Sequence, residues 1–192
     1  MQKDYIYRGI DRLIFVKYKS GSKATIEMWK KVKSTRPARW KKILGHGCFV
    51  GRNGIYKERE GDKKTPVGAF RVTMAFGIKD SPGTAGIAYT KLNEYHYWSG
   101  EQATYNTFVD ARDLGRSWVA GEHLITYNPF YNYALAFDFN KAGVYKKGSA
   151  IFLHCTKPNR KYTAGCIAVT ERYMKKIMQN TTKHTMIFIY PQ

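Results

Sequence analysis

Only one stretch of this chain repeats its apolar residues at helical spacing. From Glu171 to Gln179, Tyr173, Met174, Ile177 and Met178 fall on one face and Lys175 and Lys176 on the other. Thr170 stands where an N-cap belongs. Everywhere else the apolar residues come in short β-branched and aromatic runs closed by glycine and polar turns, which is the signature of strands. Arg12 to Tyr18 runs into the Ser20-Gly21-Ser22 turn, and Ala24 to Trp29 follows with partial alternation, so the pair predicts a hairpin. Ile43 to Val50, Ala69 to Ala75, Ala134 to Phe139, Ala150 to His154 and Thr185 to Tyr190 read as further strands. Lys30 to Lys42 is very basic, with Pro37 in its middle, and reads as an exposed connection or edge. Gly51 to Gly68 reads as loops and tight turns. Gly77 to Tyr133 is long, irregular and aromatic-rich; a stretch of that length in a compact domain reads as a functional cover or binding loop. The expectation is a mainly β fold of sandwich-like mixed sheets with one or two helices.

The 192 residues suit one domain spanning 1–192, with residues 1–40 supplying the hairpin and basic segment. An apolar fraction of 43% supports a real core and excludes wholesale disorder. No apolar run approaches the ~18 residues of a membrane-spanning helix. Three cysteines are an odd number, which argues against a disulfide scaffold. Met1 to Gly21 has no secretory layout, because its longest apolar run, Leu13 to Val16, is far shorter than a signal core. The chain therefore reads as intracellular, or as a mature or trimmed form. A net charge of +19 calls for an anionic partner: nucleic acid, an acidic polymer or a membrane surface. No zinc-finger, helix-turn-helix or RNA-recognition pattern accompanies the charge, so nucleic acid is not expected.

The chemistry concentrates in Ile151 to Cys155 and Thr163 to Val169. An apolar strand delivers His154 at its end, and Cys166 follows Gly165 just ahead of a helix start. The thiolate is the nucleophile, and a neighbouring imidazole can generate it. Gly165 permits a sharp turn that aims successive N–H groups at a developing oxyanion. Taken as bare spacing, the same residues also suit a buried structural thiol. Cys155 points away from His154 on an extended strand and reads as packing. His46, Cys48, His154, Cys155 and Cys166 match no familiar zinc spacing, so no metal is expected. His46 and His123 read as surface or packing residues.

Here the residues resemble the L,D-transpeptidase catalytic domain (YkuD, or ErfK/YbiS/YcfS/YnhG). Thr163-Ala164-Gly165-Cys166 after the strand-borne His154 is similar to the family's Ser/Thr-x-Gly-Cys motif, and Lys57 to Phe70 is similar to its Gly-Asp…Thr-Pro-x-Gly-x-Phe block. Tyr105-Asn106, Glu122-His123-Leu124 and Ser149 to His154 fall in the expected order, so the likeness spans roughly residues 40 to 190, and 41–192 reads as the catalytic region.

The resemblance implies a peptidoglycan L,D-transpeptidase that needs no cofactor. Cys166 would form a thioester with a stem peptide and pass it to an amine, with His154 as base and then acid, oriented by a backbone carbonyl. The N–H groups of Ala164, Gly165 and Cys166 would form the oxyanion hole. Thr163, Arg160, Tyr133, Trp98 and Tyr105 would bind substrate. Many members carry Arg two residues after the cysteine; Ala168 stands there, and Arg160 is the nearest basic substitute, with Lys157 and Lys161 competing. Carbapenems are the implied covalent inhibitors, anionic wall polymers a further partner, and the cell wall the implied location. The alternatives are an L,D-carboxypeptidase of the same chemistry, or a basic wall-polymer or nucleic-acid module with an inert Cys166.

Overall fold

The computed structural model describes residues 9–32 and 39–192. Twelve strands and one α-helix follow one another: β1 (Arg12–Ser20), β2 (Lys23–Val32), β3 (Arg39–Phe49), β4 (Gly68–Gly77), β5 (Tyr89–Lys91), β6 (His96–Ser99), β7 (Phe108–Asp110), β8 (Gly121–His123), β9 (Ala134–Phe137), β10 (Phe152–Thr156), β11 (Ile167–Thr170), α1 (Glu171–Asn180) and β12 (Thr185–Tyr190). Nine strands form one mixed sheet in the order β12-β1-β2-β3-β11-β10-β9-β4-β5, and a further β12–β4 pairing closes eight of them into a ring. Closure removes most free strand edges. The mainly β class therefore holds, with the strands in one closed sheet and a small second sheet, β7-β6-β8, set apart from it.

The basic span Lys30 to Lys42 is a correction. Its two described portions continue β2 and β3, with Lys30 opposite Lys41 and Lys31 opposite Trp40. Charge hid the strands there, because this end of the hairpin is largely exposed and carries no apolar alternation. Pro37 lies outside the described residues. Gly77 to Tyr133 also departs from expectation: it holds five short strands or strand ends and several 3-10 turns rather than open loop. Three- and four-residue strands are too short to show a period in sequence.

β10 and β11 lie side by side in parallel, with Leu153 opposite Ile167 and His154 opposite Ala168. Alternation splits their side chains between two faces. Leu153, Cys155, Ile167 and Val169 join the main core with Ile14, Val16, Ile26 and Ile187. Ala150, Phe152 and Cys166 face the other way, into a second apolar cluster roofed by Trp98, Leu124 and Tyr131 of the insertion. The insertion thus covers the outer face of the strands that carry the chemistry.

Helix α1 packs on β10, β11 and β3. Met174, Ile177 and Met178 are fully buried, each worth about 1.5–3 kcal/mol of apolar transfer. Thr170 occupies the N-cap position but makes no side-chain capping bond. The first turn is anchored through Glu171 instead, whose carboxylate accepts from Lys79 Nζ and Asn132 Nδ2, each at 2.8 Å. Among the described residues no helix is long and apolar enough to cross a membrane.

Candidate active site

Cys166 and His154 come to one place through register. Residues directly opposed on neighbouring strands share a face, so the His154–Ala168 pair has, two residues back along each chain and on the same side, Phe152 and Cys166, which share one apolar cluster. Both side chains line one cavity of about 200 Å³. The Phe152 N–H donates to Cys166 Sγ at 3.3 Å, and the thiol donates to the Ala150 carbonyl at 3.2 Å. His154 Nδ1 lies 2.7 Å from the Cys155 carbonyl oxygen. That contact assigns the proton to Nδ1 and leaves Nε2 as the basic nitrogen. The edges of Phe130 and Tyr131 meet the imidazole ring at centroid distances of 6.0 and 5.5 Å.

Burial sets the protonation states. It pushes the Cys166 thiol up to about 12; the Glu122 charge adds to this, and the Phe152 N–H and Lys57 oppose it. Burial also lowers the His154 imidazole to about 4, against the pull of the Cys155 carbonyl. The free site is a neutral thiol and a neutral imidazole lining one cavity. Attack on a carbonyl then requires the proton to leave sulfur as the new bond forms.

The nucleophile's loop is held by hydroxyls. Thr163 Oγ1 donates to the Cys166 carbonyl at 2.6 Å and accepts from the Gly165 N–H at 3.0 Å. Thr65 Oγ1 donates to the Gly165 carbonyl at 2.7 Å and accepts from the Gly51 N–H at 2.8 Å. Gly165 has φ +149°, and a Cβ there would stand 2.9 Å from Ile151 Cδ1 and 3.0 Å from the Lys64 carbonyl oxygen, so no other residue fits without strain. The Lys57 to Phe70 block earns its place through Thr65 and through Asp62. Lys57 Nζ lies 2.8 Å from Asp62 Oδ1, with side chains 2% and 8% exposed. Burial acts to raise the Asp62 carboxyl, but Lys57 and the N–H groups of Lys64, Glu58 and Arg59 hold it down at about 2.

The sequence-predicted residues divide. Arg160 and Ala168 line the Cys166 cavity with Ala164 and Thr163, and the Arg160 guanidinium stands 4.2 Å over the Tyr162 ring. Trp98 and Tyr105 do not; they line an adjoining cavity of about 330 Å³ that shares Glu60, Glu122, Ser149 and Ala150 with the first. Tyr133 is a correction: it is buried in the main core, because it turns inward ahead of β9. Gly165 is a second correction, since its N–H is already taken by Thr163. Thr163 itself spends its hydroxyl on the loop. His46 packs against Tyr173 in a tilted contact and His123 stacks on Tyr97. Among the described residues no three His, Cys, Asp or Glu side chains gather as a metal site.

Sequence reasoning missed the cavity's acids and its aromatic wall. Glu122 accepts from the Tyr131 hydroxyl at 2.5 Å. Burial raises its carboxyl to about 7, with Glu60 adding to the rise and Tyr131 opposing it. Glu60 accepts from the Tyr105 hydroxyl. Tyr127, Phe130 and Tyr131 form the wall. Asn106 ties the insertion to the site: its Oδ1 accepts from Trp98 Nε1 at 2.9 Å and from the Ala150 N–H at 3.1 Å. The ordered Tyr105-Asn106 and Glu122 positions were the available signal.

A comparison with protein-family models matches residues 12–189 to YkuD, the L,D-transpeptidase catalytic domain. The match begins well ahead of the motifs that carry the sequence likeness. A search among curated proteins found no match. With nearly its whole length matched, and with the strand-borne histidine and the Thr-x-Gly-Cys loop meeting in one cavity, the chain belongs to the L,D-transpeptidase catalytic domain family.

Proposed function

We propose that this protein is a peptidoglycan L,D-transpeptidase acting through a Cys166 thioester. One observation carries the reading: Cys166 and His154 share a strand face and a cavity, with Nδ1 held by a backbone carbonyl and Nε2 left basic. A stem-peptide carbonyl enters between the Tyr127–Phe130–Tyr131 wall and the Thr163 loop. Sulfur attacks, Nε2 takes the thiol proton, and the same nitrogen returns it to the departing amine of the terminal D-residue. The N–H groups of Ala164 and Cys166 are the oxyanion donors on this reading. Arg160 takes the substrate carboxylate in place of the arginine that Ala168 lacks. An amine of a second stem then resolves the thioester, and His154 accepts and returns that proton in turn. The substrate places the reaction at the cell wall.

The test is incubation with defined muropeptides and mass spectrometry of the products. Cross-linked dimers are the expected result. Tetrapeptide shortened to tripeptide without dimers would move the assignment to L,D-carboxypeptidase, in which water resolves the thioester. No product, with no carbapenem adduct on Cys166, would overturn the enzymatic reading.

A further inference from the structure

The mouth of the strand ring carries an arrangement that the Cys166 cavity does not use. Along β1, Ile14 and Val16 point into the core, and alternation puts Arg12 on that inward face. Along β2 the buried set Ala24, Ile26 and Met28 ends, and Lys30, two residues on, is exposed at the mouth. Register sets Arg12 opposite Lys30 and Lys30 opposite Lys41. One cross-strand row of cations therefore stands at the ring mouth, beyond a register irregularity between Met28 and Trp29, with Arg12 buried and Lys30 and Lys41 exposed. Like charges directly opposed in a sheet are destabilising.

These side chains, with Lys31, line a cavity of about 660 Å³ that shares no residue with the Cys166 cavity. Asp11 is the carboxylate among its described lining residues. It is already engaged, accepting from the Thr182 hydroxyl at 2.6 Å and standing 3.5 Å from Arg12 Nη1. The Arg12 side chain is 8% exposed. Its Nη1 donates to the Asp11 carbonyl at 2.9 Å, but its Nε is buried with no partner among the described residues. A buried guanidinium N–H without an acceptor is costly. A ligand that offers several anionic oxygens removes that cost and the repulsion along the row together.

We propose that this ring mouth is a binding site for a phosphate group. The guanidinium fork of Arg12 matches tetrahedral oxygens, and the lysines supply point charges. Free phosphate and the phosphate of a polyol-phosphate wall chain share this chemistry. The site is independent of the proposed reaction at Cys166.

Calorimetric titration of the full chain with inorganic phosphate, at ionic strength matched with chloride, tests it. Saturable binding of one phosphate per chain is expected. Lys30→Gln with Lys41→Gln, at solvent-reaching positions that folding does not need, should weaken binding tenfold or more. Lys17→Gln with Lys19→Gln, exposed at the far end of β1 from Arg12, should not. Carbapenem acylation of Cys166 should be unchanged in both. A glycerol-phosphate oligomer that binds more tightly than phosphate, with the same dependence on Lys30 and Lys41, would name the wall chain as the source; equal affinity would name free phosphate. No binding above chloride, equal losses in the two double variants, or binding of a DNA oligonucleotide alone would overturn the proposal.

Discussion

The cavity around Cys166 and the cavity at the ring mouth treat charge in opposite ways. At Cys166 the ionisable groups other than Arg160 are matched or neutralised. Lys57 is paired with Asp62, Glu60 and Glu122 each take a tyrosine hydroxyl, and burial keeps the thiol and imidazole uncharged. At the ring mouth Arg12, Lys30, Lys31 and Lys41 face one carboxylate, Asp11, among the described residues. The first environment keeps the thiol and imidazole neutral until a substrate arrives, because a separated thiolate and imidazolium are costly in low dielectric, so the proton leaves sulfur as the new bond forms. The second suits capture, because an unmatched field draws a counter-charge in.

The comparison breaks most severely at the nucleophile. We predict that Cys166→Ala abolishes the covalent carbapenem adduct, read by intact mass; a surviving adduct would place the nucleophile elsewhere. Next, His154→Ala should retain the fold yet slow acylation by ~10²-fold or more, as loss of a general base does. Unchanged single-turnover kinetics would remove His154 from the proton path.

The matched charges are tested by unmatching one. Asp62→Ala leaves Lys57 buried without its anion and should destabilise the chain by about 3 kcal/mol in denaturant melts, whereas substitution of a ring-mouth lysine should cost nothing or stabilise. Equal losses at both sites would erase the contrast.

The smallest effect concerns Glu122. Its carboxyl titrates near 7 in the fold against an ordinary value of 4.5. The folded state therefore binds the extra proton between those values, and wild-type stability falls as pH rises through that window. Glu122→Gln should flatten the fall and, by removing a negative charge that opposes the thiolate, shift the alkaline rise of thiol alkylation to lower pH. Matching pH profiles in the two proteins would show that Glu122 stays neutral or does not sense Cys166.

Much of this was legible in the residues. The strand runs and α1 follow from periodicity, and the Thr163 to Cys166 turn with His154 follows from a motif whose parts sit close in sequence. Tyr133 was misjudged because alternation has no defined phase in the irregular segment before β9. Lys30 to Lys42 was misjudged because cations occupy the exposed ends of β2 and β3, where no apolar alternation announces a strand. Glu122 and Tyr131 sat unrecognised within the insertion, since nothing local says which of its many aromatic and acidic residues will turn toward sulfur.

What the order of residues determined alone is local: which runs extend, where the one helix starts, and which thiol and imidazole flank a glycine turn. Periodicity and steric limits act over a few residues, so they are written there. The tertiary structure decided which residues oppose one another across strands far apart in the chain. Strand register is set by packing of the whole ring and lines Arg12, Lys30 and Lys41 along the ring mouth, while packing of the insertion over β10 and β11 brings Glu122 to the Cys166 cavity.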